Sequence, residues 1–249
     1  MTAAGPRAFR SSRAFLVRAA YAGEADRRIT LFTEEAGLVT LLAKSAVRSR
    51  RRFGGTLQKY LLLSVAWTET PGRPSVLGSS SIRESFWEVV SDLDRVCHAD
   101  HLLELAAALF PQPGPKPRAF ALLLALFRLL AGDESPSSVA RKAEACLLHV
   151  GGWGPDLRGC RRCGARDLGP FRFVPSEGVL FCRECPGKGG TVLSVGAVKT
   201  WRALQDATPA SVGRIKVPGS ILEELQEVML KYLEWHIGKP LRSLSSLGA

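Results

Sequence analysis

The chain has 249 residues, with 34 lysines and arginines against 23 aspartates and glutamates, which gives a formal charge of +11. Since domains usually span ~100–200 residues, this length predicts two or three folded units. A hydrophobic content of 46% with 23% charged residues excludes a disordered or collagen-like chain. No apolar run reaches the ~18–20 residues of a membrane helix, and the N-terminal segment lacks the apolar stretch of a secretory signal. We therefore expect a cytosolic protein.

The first quarter of the chain carries most of the excess charge and has the pattern of short strands. Residues 1–60 hold twelve lysines and arginines against four acidic residues. Five short strands in ~80 residues, separated by glycine, proline and charged turns, predict a small β-barrel. An OB-fold is the leading interpretation, and an SH3-like barrel remains open on the pattern alone. The predicted strands are 13–18, 29–33, 38–43, 57–68 and 75–78.

Helical periodicity begins after the fifth predicted strand. Ser85 and Glu88 have the spacing of a capping box and predict a helix over 85–110. A proline-rich loop leads to a second helix, 118–131, which is apolar on nearly all sides and is therefore predicted to be the buried centre of a bundle. Pro136 begins a third helix, which a glycine-rich turn ends.

A further helix with one apolar face is predicted near the C-terminus. Ser220 and Glu223 again have capping-box spacing, while Gly238 and Pro240 end the helix. The predicted fold class is α+β. Its parts are an OB-fold at 1–80, an α-helical domain at 81–155 and 191–249, and a cysteine-bearing insert at 156–190.

The insert contains the most specific motif of the sequence. Two Cys-x₂-Cys pairs with 18 residues between them match the spacing of a zinc ribbon: Cys160, Cys163, Cys182 and Cys185. Four thiolates complete a tetrahedron around one Zn²⁺ and leave no position for water, so the site is predicted to be structural. Disulfides are the alternative, which a reducing cytosol disfavours. Arginines flank the pairs and serve either to offset the thiolate charge or to bind a ligand: Arg161, Arg162, Arg166 and Arg183.

The basic residues of the barrel form the second candidate site. A cluster of cations attracts phosphates because each neutralised phosphate releases condensed counterions. The candidate DNA-binding residues are Arg10, Arg13, Arg27, Arg28, Lys44, Arg48, Arg50, Arg51, Arg52 and Lys59. Exposed rings would stack on bases, and we expect Phe9, Tyr21 and Phe53 to be exposed and the other rings of the barrel to be core. A basic face that serves only solubility is the alternative.

The remaining titratable residues indicate no catalytic site. Cys97 and Cys146 lie in predicted helices and are expected to be buried, inert thiols. His98 and His101 share a helix face, but a metal pair there has no apparent third ligand. The sequence also lacks nucleotide-binding, serine-hydrolase and zinc-protease motifs. The simplest interpretation is a binding protein and not an enzyme.

Several segments resemble the RecO family of bacterial DNA recombination and repair proteins. They are GEADRRITLFT at 23–33 with GLV at 37–39 and AK at 43–44, GPDLRGC-x₂-CG at 154–164, and YLEWHIGKPLRSL at 232–244. The matches occur in the family's order and span nearly the whole chain. The sequence departs from the family's usual pattern at Ser45, where a glycine commonly follows the lysine.

This resemblance implies an N-terminal OB-fold, an α-helical domain and a zinc-binding insert. It also implies binding of single- and double-stranded DNA and annealing of complementary strands in the cytoplasm, at the nucleoid. In that role the family works with RecR, often alongside RecF, to load the RecA recombinase onto DNA coated by single-stranded DNA-binding protein. We expect annealing to be electrostatic, without nucleotide hydrolysis and with weak sequence preference, because phosphates carry little base identity.

Cations of the helical domain are candidates for contacting partner proteins. They are Arg118, Arg128, Arg141 and Lys142. Arg128 interrupts an apolar helix, so it either extends to solvent at the helix end or helps to dock the acidic, hydrophobic tail of single-stranded DNA-binding protein. Two rival functions remain: a metal-dependent enzyme whose active site is the cysteine cluster, and an adaptor. The adaptor would bind nucleic acid through its zinc ribbon without annealing it, or would bind an acidic protein surface.

Overall fold

An N-terminal β-barrel opens the fold. The computed structural model describes residues 7–185 and 189–246, with the side chains of 50, 51, 245 and 246 excepted. The barrel strands are β1 (Ala8–Tyr21), β2 (Arg27–Thr33), β3 (Gly37–Ala43), β4 (Leu61–Thr70) and β5 (Arg73–Ser85). They close in the order β1-β2-β3-β5-β4, with β3 and β5 parallel and the other neighbours antiparallel. This closure confirms the predicted barrel as one of OB type.

The strands differ in length from the prediction. β5 continues to Ser85 through a run of serines, which favour strands weakly by themselves but here pair along the length of β4. β4 begins at Leu61 instead of residue 57, because a short helix, α1 (Arg50–Phe53), and a turn ending at Tyr60 precede it. Pairing with neighbouring strands thus sets the strand ends more than local composition does.

The barrel has an apolar interior and a second apolar face outside. Ile29 and Leu31 alternate with outward residues along β2 and are fully buried inside the barrel. Phe15 and Phe32 lie outside the barrel in the core of the helical domain. The ring centroids of Phe15 and Phe127 are 4.7 Å apart, which is a stacked aromatic contact. The barrel and the helices therefore share one continuous core at this seam.

The helical domain follows the barrel and resumes after the insert. Its helices are α2 (Trp87–Val90), α3 (Leu93–Leu109), α4 (Pro117–Ala131), α5 (Pro136–Val150), α6 (Val195–Gln205) and α7 (Gly219–Ile237), with 3₁₀ turns at Val212–Arg214 and Arg242–Ser246. α4 and α5 begin with proline, as predicted. α4 is the buried helix that its apolar sequence predicted. No helix in the described part of the chain is long and apolar enough to cross a bilayer.

Both predicted capping boxes are wrong. Ser85 is the last residue of β5, and the helix predicted over 85–110 is divided into α2 and α3. The division occurs because the Asp92 side chain accepts the backbone N–H groups of Asp94 (2.9 Å) and Arg95 (3.2 Å), and so begins a new helix. At the C-terminal helix, Pro218 precedes the first turn and no side chain caps it, so Ser220 does not act as a cap.

The C-terminal segment is anchored on α3. Gly238 ends α7 in the left-handed conformation, with φ of 73°, as predicted from the glycine. The backbone N–H groups of Arg242 and Ser243 then donate to the two oxygens of Glu104, at 3.0 and 2.8 Å. The Ser243 hydroxyl also lies 3.0 Å from Nδ1 of the buried His101. This part of the C-terminal segment is therefore held by three polar contacts, of which one is exposed, one half-buried and one buried.

The cysteine-bearing insert forms a small sheet. Its strands are β6 (Asp156–Cys160), β7 (Phe171–Val174), β8 (Val179–Phe181) and β9 (Thr191–Leu193), in the order β6-β8-β7-β9. The Phe173 ring lies 5.0 Å from Trp201 of α6 and 5.3 Å from Tyr232 of α7. The insert is therefore packed on the helical domain. Because β9 pairs with β7, its sheet extends past the predicted boundary at residue 190.

Candidate functional site

One end of the barrel gathers cations from two strands. Tyr21 at the end of β1 pairs in register with Arg27 at the start of β2, and the Arg27 guanidinium lies 5.4 Å from the centre of the Tyr21 ring. This is a cation–π contact. The next pair in the ladder places Arg28 opposite Ala20, where Arg28 is exposed. Tyr21 is also exposed, as the sequence predicted, so Tyr21, Arg27 and Arg28 lie at the same end of the β1–β2 ladder.

The loop that follows β3 adds Lys44 and Arg48 to this end. Its Ser45 backbone N–H donates to Asp26 Oδ1 at 2.7 Å, and its Val47 N–H donates to the Ala25 carbonyl at 3.1 Å. Both acceptors lie in the turn between β1 and β2. The loop is therefore fastened beside Arg27, with Lys44 and Arg48 exposed. Ser45 has φ of 54°, a left-handed conformation that costs a non-glycine residue energy.

Helix α1 supplies a further cation. Arg52 donates to the Lys44 carbonyl at 2.8 Å and lies 5.1 Å from the centre of the Phe53 ring. The expectation that Phe53 is exposed is wrong: it is 2% exposed, because the ring closes the interior of the barrel. Arg50 and Arg51 belong to α1 by their backbone, but their side chains are outside the described part of the chain.

We call this surface the basic end of the barrel. Its members are Arg27, Arg28, Lys44, Arg48 and Arg52. Among the described residues, none of the five forms an ion pair with a carboxylate. Two carboxylates lie in the adjacent turn, Glu24 and Asp26, so the surface keeps a positive excess. A concentration of unpaired cations creates a local field that attracts polyanions.

Three of the predicted DNA-binding residues are paired with acids. Arg13 donates to both oxygens of Glu34, at 2.8 and 2.7 Å, and this pairing lowers the pKa of that carboxyl. Lys59 Nζ lies 2.7 Å from Asp100 on α3, and Arg10 lies 3.5 Å from Glu69. Arg10 and Arg13 also lie along the other half of β1. These three cations are therefore engaged by carboxylates, unlike the five of the basic end.

Sequence reasoning missed Arg18. It is exposed on β1, opposite Thr30 of β2, in the neighbourhood of Arg28. A β-bulge between Leu16 and Arg18 shifts the register, and this defeats simple alternation counting. The clue available in the sequence was the basic residue at the end of the first predicted strand, 13–18.

The four cysteines of the insert form a separate candidate metal site. Cys160 ends β6, Cys182 follows β8, and the sulfur atoms of all four cysteines lie within 4.8 Å of one another. The cysteines are not joined as disulfides, and the sulfurs of Cys163 and Cys182 are 3.7 Å apart. Sulfurs held tetrahedrally by one ion at ~2.3 Å would be about 3.8 Å apart. The site therefore fits a tetrahedral metal ion.

The pKa values of these thiols reflect the crowding of the four sulfurs. Burial opposes ionisation of Cys160, but backbone N–H groups of Cys163, Cys182 and Arg162 donate to its sulfur and lower its pKa to about 6. At Cys185, burial and the neighbouring sulfurs raise the pKa to about 12. Four thiols this close resist ionising together unless a cation compensates the charge.

The other titratable residues have structural partners. His98 Nδ1 lies 2.8 Å from the Asp94 carbonyl, while His101 is fully buried, with Nε2 2.8 Å from Glu144. These partners account for both histidines, so they form no metal pair. Cys146 is buried, and desolvation raises its pKa to about 12.

Two of the four predicted partner-binding residues are not accessible. Lys142 is fully buried and pairs with Glu134 at 2.7 Å. Arg141 is 5% exposed and pairs with Glu144 at 2.7 Å. The prediction that these two contact an external partner is therefore wrong, because each is held inside the bundle by a carboxylate.

The other two partner-binding candidates are at the surface. Arg118 is exposed near the start of α4. Arg128 donates to both oxygens of Glu84 at 3.0 and 2.7 Å, which links α4 to the barrel, yet it remains more than half exposed.

Comparisons with known proteins agree across both halves of the chain. Family models described as "Recombination protein O N terminal" and "Recombination protein O C terminal" match residues 9–85 and 90–245. The chain is 36% identical over 241 residues to the DNA repair protein RecO of Anaeromyxobacter sp. (strain K), which covers 94% of each chain. It is 30% identical over 235 residues to the DNA repair protein RecO of Dehalococcoides mccartyi, covering 94% of this chain and 92% of the relative. The DNA repair protein RecO of Myxococcus xanthus is 30% identical over 225 residues, covering 89% and 90%.

Proposed function

Since the chain belongs to the RecO family of DNA repair proteins, we propose that it binds single- and double-stranded DNA through the basic end of its barrel, anneals complementary strands and mediates recombination. The observation that carries the proposal is the contrast between two sets of cations. The five at the basic end have no ion pair among the described residues, whereas Arg10, Arg13 and Lys59 do. Unpaired cations can neutralise phosphates without first breaking an internal ion pair.

The proposed mechanism is electrostatic and not catalytic. Two complementary strands repel each other through their phosphates, and a surface that neutralises phosphates lowers the barrier to their encounter. The exposed ring of Tyr21, beside Arg27, is placed to stack on a base. Neither contact reads base identity, so sequence preference should be weak.

The cysteine cluster is proposed to hold one structural Zn²⁺. All four sulfurs would be ligands, which leaves no open position for a reacting water or substrate. Cys160 and Cys182 are almost fully buried, and the insert packs on α6 and α7. Bound zinc would therefore stabilise the sheet of the insert. A catalytic metal centre, the rival function, would instead need an exchangeable ligand position.

The proposed partners are RecR, RecF, RecA and single-stranded DNA-binding protein, at the nucleoid in the cytoplasm. The candidate docking site for the acidic, hydrophobic tail of single-stranded DNA-binding protein is a groove beside Arg128. Its volume is about 440 Å³, and Arg13, Leu124 and Leu129 contribute to its lining. Its apolar side chains suit the hydrophobic part of such a tail, and the tail's carboxylates would have to replace Glu34 and Glu84 as the partners of Arg13 and Arg128. Replacing Arg128 by alanine should weaken binding of a tail peptide, and unchanged affinity would remove this docking site.

The function is tested by the salt dependence of binding to a labelled single strand of mixed sequence. If all five cations of the basic end contact phosphates, the logarithmic slope should be near −3.5, since each contact contributes about 0.7. Affinity should then fall about 100-fold between ~50 and ~200 mM salt. Affinity that stays flat over this range would contradict the proposal. Annealing is measured in parallel with complementary labelled strands and no nucleotide. Efficient binding without faster annealing would favour the adaptor function instead.

A further inference from the structure

A pocket between the cysteine-bearing insert and α6 is lined by basic side chains that the proposed function does not use. Its volume is about 210 Å³, which corresponds to about seven water molecules of liquid. The cations that line it are Arg158 from β6, Arg166 from the turn after the first cysteine pair, and Lys199 and Arg202 from α6. Lys199 and Arg202 are three positions apart, so they project from one face of the helix.

The acidic residues around this pocket leave it with a positive excess. Arg158 donates to both oxygens of Asp156, at 2.9 and 2.8 Å, and this pairing lowers the pKa of Asp156 to about 2. Asp167 lies 3.9 Å from Lys199 and is largely exposed. Arg166 and Arg202 have no ion pair with any described residue. Two unpaired guanidinium groups thus face one small cavity.

The backbone of the insert allows these cations to approach each other. A Cβ atom at Gly159 would lie 2.8 Å from the Gly164 carbonyl oxygen and 3.3 Å from Cγ of Arg166. The absence of a side chain at Gly159 therefore lets the turn that carries Arg166 fold over β6. A larger residue would displace this turn and, with it, the Arg166 guanidinium.

We propose that this pocket is a second phosphate-binding site, which takes a phosphodiester group of a nucleic-acid strand. The inference rests on the proposed DNA-binding function and adds a surface on a different domain. Arginine is suited to such a site because its planar fork can donate two hydrogen bonds to one phosphate. Three further arginines of the insert are exposed outside the pocket: Arg161, Arg162 and Arg183.

The lining favours a nucleic-acid backbone over an acidic peptide. The apolar residues beneath the cations are almost fully buried, including Leu157, Phe171 and Leu180. Little apolar surface is therefore exposed for the side chains of a peptide. Repeated phosphates of a strand, in contrast, match cations spread over several elements.

Two separated sites would allow one chain to hold two strands. The barrel packs on the helical domain through Phe15 and Phe127, whereas the insert packs through Phe173 on α6 and α7. The basic end and the pocket thus belong to different parts of one framework. A strand bound at each would have its phosphates neutralised by a different set of cations.

The test counts oligonucleotides bound per chain by the full-length, metal-loaded protein. The probe is a single strand of about eight nucleotides, a length within the span of one OB-fold site. We expect two equivalents for the wild type and one for the double variant Arg166→Ala/Arg202→Ala. The control Arg214→Ala/Lys216→Ala removes the same charge from exposed positions of the helical domain and should keep two equivalents. Two equivalents in the pocket variant would overturn the proposal.

Further variants separate the pocket from folding and from the basic end. Lys199→Gln/Arg202→Gln changes only α6, and it should also bind one equivalent with unchanged metal content. A variant of the basic end, Arg27→Ala/Arg28→Ala, should lose the other equivalent. If the wild type binds one equivalent and only this basic-end variant loses it, the second site is overturned and the proposed function stands. No binding by the wild type would overturn both.

Competitors identify the source of the anion. Millimolar inorganic phosphate should leave the second oligonucleotide bound. If phosphate displaces that oligonucleotide, the pocket is a site for free phosphate and the proposal is overturned. Polyglutamate should bind equally to the wild type and to the pocket variant. If the pocket variant instead loses polyglutamate binding but binds the oligonucleotide as the wild type does, the pocket belongs to an acidic protein partner.

Discussion

The buried ion pair between Glu144 and Arg141 provides a sharp test of how the helical domain is held together. One oxygen of Glu144 accepts from Arg141 at 2.7 Å and lies 2.8 Å from His101 Nε2, and Glu144 and His101 are fully buried. Glu144→Gln keeps the side-chain volume but removes the charge that compensates Arg141. Removing one partner of a buried pair costs about 3–5 kcal/mol, because the other charge stays buried without compensation.

The expected loss is large enough to measure by thermal and urea unfolding. For a chain of this length, about 3 kcal/mol corresponds to a fall in Tm of roughly 6–12 °C. The matched control is Glu227→Gln, which breaks the exposed 2.6 Å pair with Lys231 on α7 and should cost only about 0.2–1 kcal/mol. If Glu144→Gln were no more destabilising than this control, the argument from burial would be wrong.

Other predictions concern the insert, one strained residue and one buried thiol. Cys182→Ser should remove the bound zinc and make the insert sensitive to protease. The control Cys97→Ser should keep one zinc per chain in a metal analysis, and equal zinc content in the two variants would contradict the metal site. Ser45→Gly should raise the free energy of unfolding by about 0.5–1 kcal/mol by relieving a positive φ, whereas Ser45→Ala should bring no gain. The pKa of Cys146 is raised to about 12 by burial, so only the unfolded thiol ionises as the pH rises above about 9. Above that pH, the free energy of unfolding should fall by about 1.4 kcal/mol per pH unit relative to that of Cys146→Ala. The check is urea unfolding of both proteins at several pH values, and free energies that change in parallel would refute this.

The features that the sequence predicted well are those encoded locally. The long apolar run of α4 predicted a largely buried helix, and only one stripe, which includes Arg118 and Arg128, reaches the surface. The cysteine spacing predicted the grouping of four sulfurs, because two residues between thiols fit one tight turn. Gly238 ended α7 for an equally local reason, the left-handed conformation that glycine adopts freely.

The division of the basic residues into free and paired could not be read from the sequence. Arg13 and its partner Glu34 are 21 residues apart, and Lys59 and Asp100 are 41 apart, so their pairing depends on barrel closure and on the docking of α3. Lys142 belongs to a helix whose sequence suggests an exposed polar face, yet packing inside the bundle buries it. Phe53 was expected among exposed arginines, but α1 turns its ring into the open end of the barrel. Each error concerns a tertiary contact.

The capping boxes failed for a related reason. A serine followed three residues later by glutamate can begin a helix, but Ser85 pairs with Leu61 of β4 and is part of the sheet. At the C-terminal helix, Glu224 accepts hydrogen bonds from Ser194 at the start of α6. Glu224 is the neighbour of Glu223, the residue predicted to cap; the predicted box itself fails because Pro218 precedes the first turn and no side chain caps it.

The central claim is that DNA binds specifically at the basic end of the barrel. The alternative is that any set of surface cations on this basic protein would bind DNA equally well. The most direct measurement compares the salt dependence of single-strand binding for two triple variants with equal loss of charge. One replaces Arg27, Arg28 and Arg48 by alanine. The other replaces Arg118, Arg214 and Lys216, which are exposed positions of the helical domain. We predict that the first variant flattens the logarithmic slope by about 2, at about 0.7 per lost phosphate contact, and that the second leaves it unchanged. Equal flattening in both would show that net charge alone governs binding and would contradict the account.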